Sequence, residues 1–254
     1  PDGIWFKAAV DLNDINKSTS NDENALKNVI NLIQTARKLN PGFIKENGYR
    51  IETHLEFPRK WGWGSSSTLI SNLAHMADID PFDLFFNTQN GSGYDIACAN
   101  SKLPILYQLR NGMPVYEGLD FNPPFLENIG FVFSGRKQKT SDGIKYFSKT
   151  KADFPVESEK ISQITKEVVS SSQLKDIFYL FNEHEKIISN LLRIKPIQEE
   201  NFSDFEGITK SLGAWGGDFF MAASENGMEY IKNYFSNKGL KTIFNYKDIV
   251  RYDA

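Results

Sequence analysis

The chain has 254 residues, 40% hydrophobic and 24% charged, with 29 basic against 32 acidic side chains and a net charge of −3. That balance excludes the basic footprint of a nucleic-acid or anionic-membrane binder, and no apolar run reaches bilayer-spanning length, Leu103–Leu109 being strand-sized. One cysteine, Cys98, excludes an internal disulfide and, with no CxxC or His/Cys cluster, a structural zinc site. No signal peptide is visible, so the expected location is cytoplasmic, and a start at Pro1 rather than Met leads us to expect a preceding segment.

Taken in chain order, the apolar stretch Gly3–Asp11 reads as a strand. Ser18–Asp22 is polar and ends in a helix start, where Asn21 can cap and Asp22 and Glu23 fill the first turn. Leu26, Val29, Ile30, Ile33 and Ala36 then recur at helical spacing until Asn40-Pro41-Gly42. Tyr49, Ile51, Thr53, Leu55 and Phe57 alternate with Arg50, Glu52, His54 and Glu56, which is the clearest strand pattern in the chain. Pro58 and the loop Arg59–Gly64 follow, then a serine-led helix with Leu69, Ile70, Leu73, Ala74 and Ala77 on its apolar face.

Asp80-Pro81 opens a short helix through Phe86. Asn90–Gly93 is a turn, left by Tyr94–Ala99 as an apolar strand. Asn111-Gly112, flanked by Ile105–Leu109 and Met113–Tyr116, is the strongest hairpin signal. Asn122-Pro123-Pro124 reads as a connector, and Ile129–Phe133 as a strand followed by a basic polar loop, Ser134–Asp142. From Glu157 the pattern is helical, ending with Leu174–Leu192 before Lys195-Pro196. A second glycine-rich segment, Gly213–Gly217, precedes a strand at Phe219–Ala222, and a helix near Glu229–Phe235 and a strand near Thr242–Phe244 follow. Mixed elements with a connector near residue 122 predict an α+β protein of two lobes, residues 1–122 and 123–254.

Three segments carry candidate chemistry. The first, Pro58-Arg59-Lys60-Trp61-Gly62-Trp63-Gly64-Ser65-Ser66-Ser67-Thr68, runs from the expected strand into a helix. Glycines allow close backbone approach to an anion, a helix N-terminus offers unpaired N–H groups, and serine hydroxyls can donate to phosphate or bind Mg²⁺. It is not a Walker A loop, because no Gly-Lys-Ser/Thr follows, and a dinucleotide fingerprint would need glycine where Ser66 or Ser67 stands. A glycine turn with a serine cap accounts for one serine, not three. The second, Gly91–Ala97, holds Asp95, a carboxylate able to take a hydroxyl proton or to bond its own turn. The third, Lys210–Asp218, can wrap over a ligand or make two tight turns.

Together and in this order the segments resemble the motifs of the GHMP kinases, which include galactokinase, homoserine kinase, mevalonate kinase and phosphomevalonate kinase. The first is similar to Pro-x-x-x-Gly-Leu-Gly-Ser-Ser, with Trp63 at the leucine. Gly93–Ala97 resembles the segment bearing the catalytic aspartate, and its Gly-Tyr-Asp-Ile-Ala string resembles a bacterial group of these kinases. Gly213–Asp218 resembles the third motif, with Trp215 where glycine is usual. The first family motif, a Lys and Gly-Glu-Tyr, has no counterpart; its place would lie before Pro1. The region matching the Mg²⁺-binding glutamate, Leu84–Asn90, has no acid, and Asp83 is the nearest.

The resemblance implies a first lobe of ribosomal-protein-S5-like type and a ferredoxin-like second lobe. It implies ATP and Mg²⁺ as cofactors, with Pro58, Lys60, Trp61, Gly62, Trp63, Gly64, Ser65, Ser66 and Ser67 at the nucleotide, Ser66 also on the metal, and Asp95 catalytic. Gly213, Ala214, Trp215, Gly216 and Gly217 would cover the site. Lys139, Thr140 and Ser141, beside Arg136 and Lys137, would meet a small-molecule acceptor, mevalonate or phosphomevalonate in isoprenoid precursor synthesis, with no nucleic acid or membrane as partner. A homoserine or sugar kinase, or a non-catalytic sensor or interaction protein of the same fold, are the competing readings. His184, between Glu183 and Glu185 on a helix, reads as a surface or lobe-packing residue, and Cys98 as a core residue.

Overall fold

Helix signals in the first hundred residues translate directly into the first core. In the computed structural model, which describes residues 3–45, 48–135, 154–213, 215 and 218–250, helix α1 spans Glu23–Leu39, α2 Ser65–Met76, α3 Pro81–Thr88 and α4 Tyr94–Asn100. The recurring apolar positions of α1 and α2 bring Leu32, Ile33 and Ala36 against Ile70, Leu73 and Ala74, with Leu84 of α3 and Ile96 of α4 closing the cluster. Helix α1 is capped by Asp22, whose carboxylate accepts from the Asn24 and Ala25 N–H groups. The expected cap, Asn21, instead accepts from Lys7 N–H and donates to the Trp5 carbonyl. Pro81 at the first turn of α3 follows its cap, Asp80.

Three strand expectations are corrected here. Only Ala8–Ala9 (β1) of the first stretch is paired, with Thr19–Ser20 (β2). Among the described residues Tyr49–Phe57 makes no ladder: its alternation describes one face of a sheet, but no described strand pairs with it, and Tyr49 and Ile51 are exposed. Tyr94–Ala99 is helical; Ile96, Ala97 and Asn100 fall on one side at helical spacing, which the short apolar run concealed. The hairpin does form, β3 (Ile105–Arg110) against β4 (Met113–Gly118), with Asn111 and Gly112 both at positive φ as a type I′ turn requires.

The chain divides into two units, one of Pro1–Arg59 with Trp63–Leu119 and one of Lys60–Gly62 with Asp120–Ala254. In the second, β5 (Ile129–Phe133), β6 (Ile208–Ser211), β7 (Phe219–Ala223) and β8 (Ile243–Asn245) form one antiparallel sheet ordered β6-β7-β5-β8. Helices α5 (Pro155–Ser170), α6 (Leu174–Leu192) and α7 (Ile197–Asn201) lie between β5 and β6 in the chain. Helix α8 (Gly227–Asn237) lies between β7 and β8, and α9 (Tyr246–Ile249) follows. β6 and α7 have no counterpart in the sequence reading, because each is only four or five residues long.

The period-two alternation of the strands supplies two cores. Phe131, Met221 and Ile208 pack with Ile177 and Phe181 of α6. Val132, Phe220 and Ala222 pack with Ile231 and Phe235 of α8 and with Phe202 and Phe205. Gly130 lets α8 lie close on β5: a Cβ there would stand 2.7 Å from the Met228 methyl carbon, so the methionine would have to shift.

Candidate functional site

The first glycine–serine segment is built around Gly64. It sits at φ +80° as the residue preceding α2, and no side chain caps that helix. The left-handed backbone turns the chain sharply into the helix and leaves the first-turn N–H groups of Ser65, Ser66 and Ser67 without a capping acceptor. A Cβ on Gly64 would stand 2.8 Å from Ser67 Oγ, so the turn has room only for hydrogen.

The hydroxyls divide into two groups. Ser67, buried, donates to the Gly64 carbonyl at 2.9 Å, and Thr68 Oγ1 donates to the same oxygen at 3.0 Å. These two tie the turn down. Among the described residues, the hydroxyls of Ser65 and of exposed Ser66 have no protein partner. An uncapped first turn with two uncommitted hydroxyls and a partial positive dipole end suits a phosphate. Pro58 is half-buried, and Trp63 packs on Phe57 with ring centroids 5.6 Å apart.

Asp95 is in the same unit, in the first turn of α4. Helices α2 and α4 are tied by Asn100 Nδ2, which donates to Ser71 Oγ at 3.1 Å. Burial raises the Asp95 carboxyl above its usual range, partly offset by the Tyr94 hydroxyl. The turn ahead of it is held by the Tyr107 hydroxyl of β3, which donates to the Ser92 carbonyl. Tyr107 was not singled out by its sequence pattern, since a strand tyrosine carries no local mark of what its hydroxyl will meet.

Lys60, Trp61 and Gly62 belong to the second unit. Trp61 lies edge-on to Phe244 and Phe219, with centroids 5.1 and 6.1 Å away. Gly62, at φ +68°, lies against Asp218: a Cβ there would fall 1.9 Å from Oδ2. The first glycine segment and the end of the third therefore meet at Gly62 and Asp218. Gly213 is at φ +59° and Trp215 at φ +57°, the latter buried despite a backbone region that disfavours bulky side chains. Ala214, Gly216, Gly217, Lys139, Thr140 and Ser141 lie outside the described residues, as do Arg136 and Lys137.

Of the two readings of His184 the surface one falls, and the expectation for Cys98 changes. The His184 side chain is 16% exposed, and burial, reinforced by Lys210, pushes it down to about 3. Cys98 is exposed rather than in the core. Among the described residues there is no group of three or more His, Cys, Asp or Glu side chains able to hold a metal, and no helix is long and apolar enough to cross a membrane.

No family model and no curated protein sequence matches the chain. Solved structures do. The chain is similar to the L. major mevalonate kinase in complex with R-mevalonate, at TM-score 0.53 and 15% identity, over 88% of this chain and 78% of that one. It is similar to the Methanococcus jannaschii mevalonate kinase at TM-score 0.50 and 15% identity, over 94% of this chain and 86% of that one. At this identity the likeness is one of fold: a mixed helix-and-sheet protein with a fold similar to that of these two kinases.

Proposed function

We propose that this protein is an ATP-dependent small-molecule kinase of GHMP type. The observation that carries the reading is the N-terminus of α2: no capping side chain, left-handed Gly64, and uncommitted Ser65 and Ser66 hydroxyls, on a fold like that of mevalonate kinases. The strand order β6-β7-β5-β8 supports a ferredoxin-like second lobe.

In this reading the Ser65–Ser67 N–H groups and the Ser65 and Ser66 hydroxyls hold the phosphates of ATP. Ser66 could serve as a protein ligand to Mg²⁺, an ion that would neutralise phosphate charge when bound. Asp95 accepts or orients the acceptor hydroxyl proton, and its raised pKa brings it nearer the operating pH of a general base. Lys60, Trp61, Gly62 and the Gly213–Gly217 segment are the further nucleotide-side candidates of this reading, as the resemblance implies. The bond formed joins the acceptor oxygen to the γ-phosphorus as the bond to ADP breaks, so positioning and charge neutralisation supply the catalysis. A first lobe of S5-like type, a cytoplasmic location, and mevalonate or phosphomevalonate as acceptor complete the reading; Lys139, Thr140 and Ser141 are the acceptor-side candidates.

The test is ADP release with Mg·ATP across mevalonate, phosphomevalonate, homoserine and sugars. Turnover with one acceptor, abolished by Asp95→Asn with ATP binding retained, supports the kinase. ATP binding without turnover on any acceptor supports a non-catalytic sensor of the same fold, the reading that the strained Trp215 favours.

A further inference from the structure

Glu185 is a buried carboxylate that the proposed chemistry does not use. It is 3% exposed, in the middle of α6, on the face that carries Ile177 and Phe181 into the sheet. Facing it from β6 is the Lys210 ammonium, 3.7 Å from Oε1 and itself mostly buried. Burial raises Glu185 and lowers Lys210, each against the pull of the other. His184 Nδ1 lies 3.9 Å from the same carboxylate oxygen and is neutral, so it adds no ion pair. Neither Glu185 oxygen reaches full hydrogen-bond geometry with a donor. A buried pair of this quality is poor as a stabilising device, because hydrophobic residues of like volume would serve at least as well.

Its position suggests a different use. Among the described residues β6 is an edge strand, and its outward backbone groups are met by side chains. Gln198 Oε1 accepts from the Thr209 N–H at 2.8 Å, and Gln198 Nε2 donates to the Gly207 carbonyl at 2.9 Å. One pair further on, Ser211 is held in the same way. Its carbonyl accepts from Lys210 Nζ at 3.2 Å, and its N–H and hydroxyl face the Glu185 carboxylate. Ser211 is the last residue of β6, two positions before Gly213 turns the backbone to φ +59°.

We propose that Glu185 and Lys210 form a positioning pair that takes the place of a neighbouring strand at Ser211 and fixes the direction in which Ser211–Gly213 leaves the sheet. The proposal rests on the kinase reading above for what the arm serves. It makes the pair a requirement of nucleotide use rather than of folding.

The experiment compares wild type with Glu185→Gln, Lys210→Met and the double variant. Two readouts are taken: steady-state kinetics with Mg·ATP and the acceptor, and amide hydrogen exchange at Ser211–Gly213. Each single variant raises KM for Mg·ATP by about tenfold while KM for the acceptor is unchanged, and a purely structural role would move both. Exchange at Ser211–Gly213 accelerates by about tenfold while that of β7 does not change. The double variant is no worse than the poorer single one, because both act through one contact. Should the truncations unfold the protein, Glu185→Asp, which keeps the charge but shortens the reach, carries the same two readouts. Wild-type KM and wild-type exchange in Glu185→Gln overturn the pair. If wild type neither binds nor turns over Mg·ATP, the kinase reading fails, and exchange at Ser211–Gly213 still decides whether the pair holds the arm.

Discussion

Replacing Gly62 by alanine perturbs a single atom at the place where the first and third segments meet. The added Cβ would fall 1.9 Å from Asp218 Oδ2, 2.5 Å from its Cγ and 3.0 Å from its Cβ, so the carboxylate must swing away. Asp218 Oδ1 has no solvent-accessible surface, so displacing the group disturbs a desolvated carboxylate, at about 1–3 kcal/mol. The alanine must also hold φ +68°, where an L-residue loses about 1–2 kcal/mol. Together these give about 2–5 kcal/mol, larger than the usual surface substitution. The assay is urea unfolding, read beside Mg·ATP titration of the folded variant. Loss in that range, with weakened ATP binding, is the expected result. A variant within about 0.5 kcal/mol of wild type, binding ATP normally, would refute the close approach and the strained turn together.

Asp95→Asn lowers turnover by about 100-fold or more and leaves Mg·ATP affinity within a few-fold, measured by initial rates and calorimetry. Because burial raises the native Asp95 carboxyl, ionising it costs stability as pH rises above its unfolded value, so the asparagine variant melts no lower than wild type at neutral pH. His184 runs the opposite way. Its native value of about 3 lies below the unfolded 6.5, so its contribution is complete above pH 6.5 and is lost as pH falls toward 3, at most about 5 kcal/mol. His184→Gln flattens that part of the stability–pH profile in acid melts. Trp61→Ala costs about 2–3 kcal/mol by removing the ring from between Phe219 and Phe244, as read by thermal unfolding.

Where several turns of periodic apolar residues existed, the elements were legible: Leu174–Leu192 and Ile129–Phe133 stand where their patterns place them. Capping by Asp80 and the turn at Asn111-Gly112 were legible because each needs only local chemistry. Tyr49–Phe57 was misread because a strand is completed by its neighbour, which one segment's alternation does not contain. Tyr94–Ala99 was misread because six residues hold too little periodicity to separate a helix from a strand. The glycine–serine turn could be found from its residues alone, but not the split between Ser67, bound to the Gly64 carbonyl, and the uncommitted Ser65 and Ser66. Glu185 looked like one charge in the run Glu183–Lys186. Its spacing of four from Phe181 and eight from Ile177 was the signal that it faces inward. Its partner on β6 came from a distant part of the chain.

The central claim is that the α2 N-terminus holds the phosphates of ATP, and calorimetric titration of Mg·ATP against AMP tests it most directly. The account predicts that ATP binds at least about tenfold more tightly than AMP, and that Ser65→Ala/Ser66→Ala removes most of that difference without lowering the melting temperature. Equal affinity for the two nucleotides, or a preference for ATP that survives the double substitution, would contradict it.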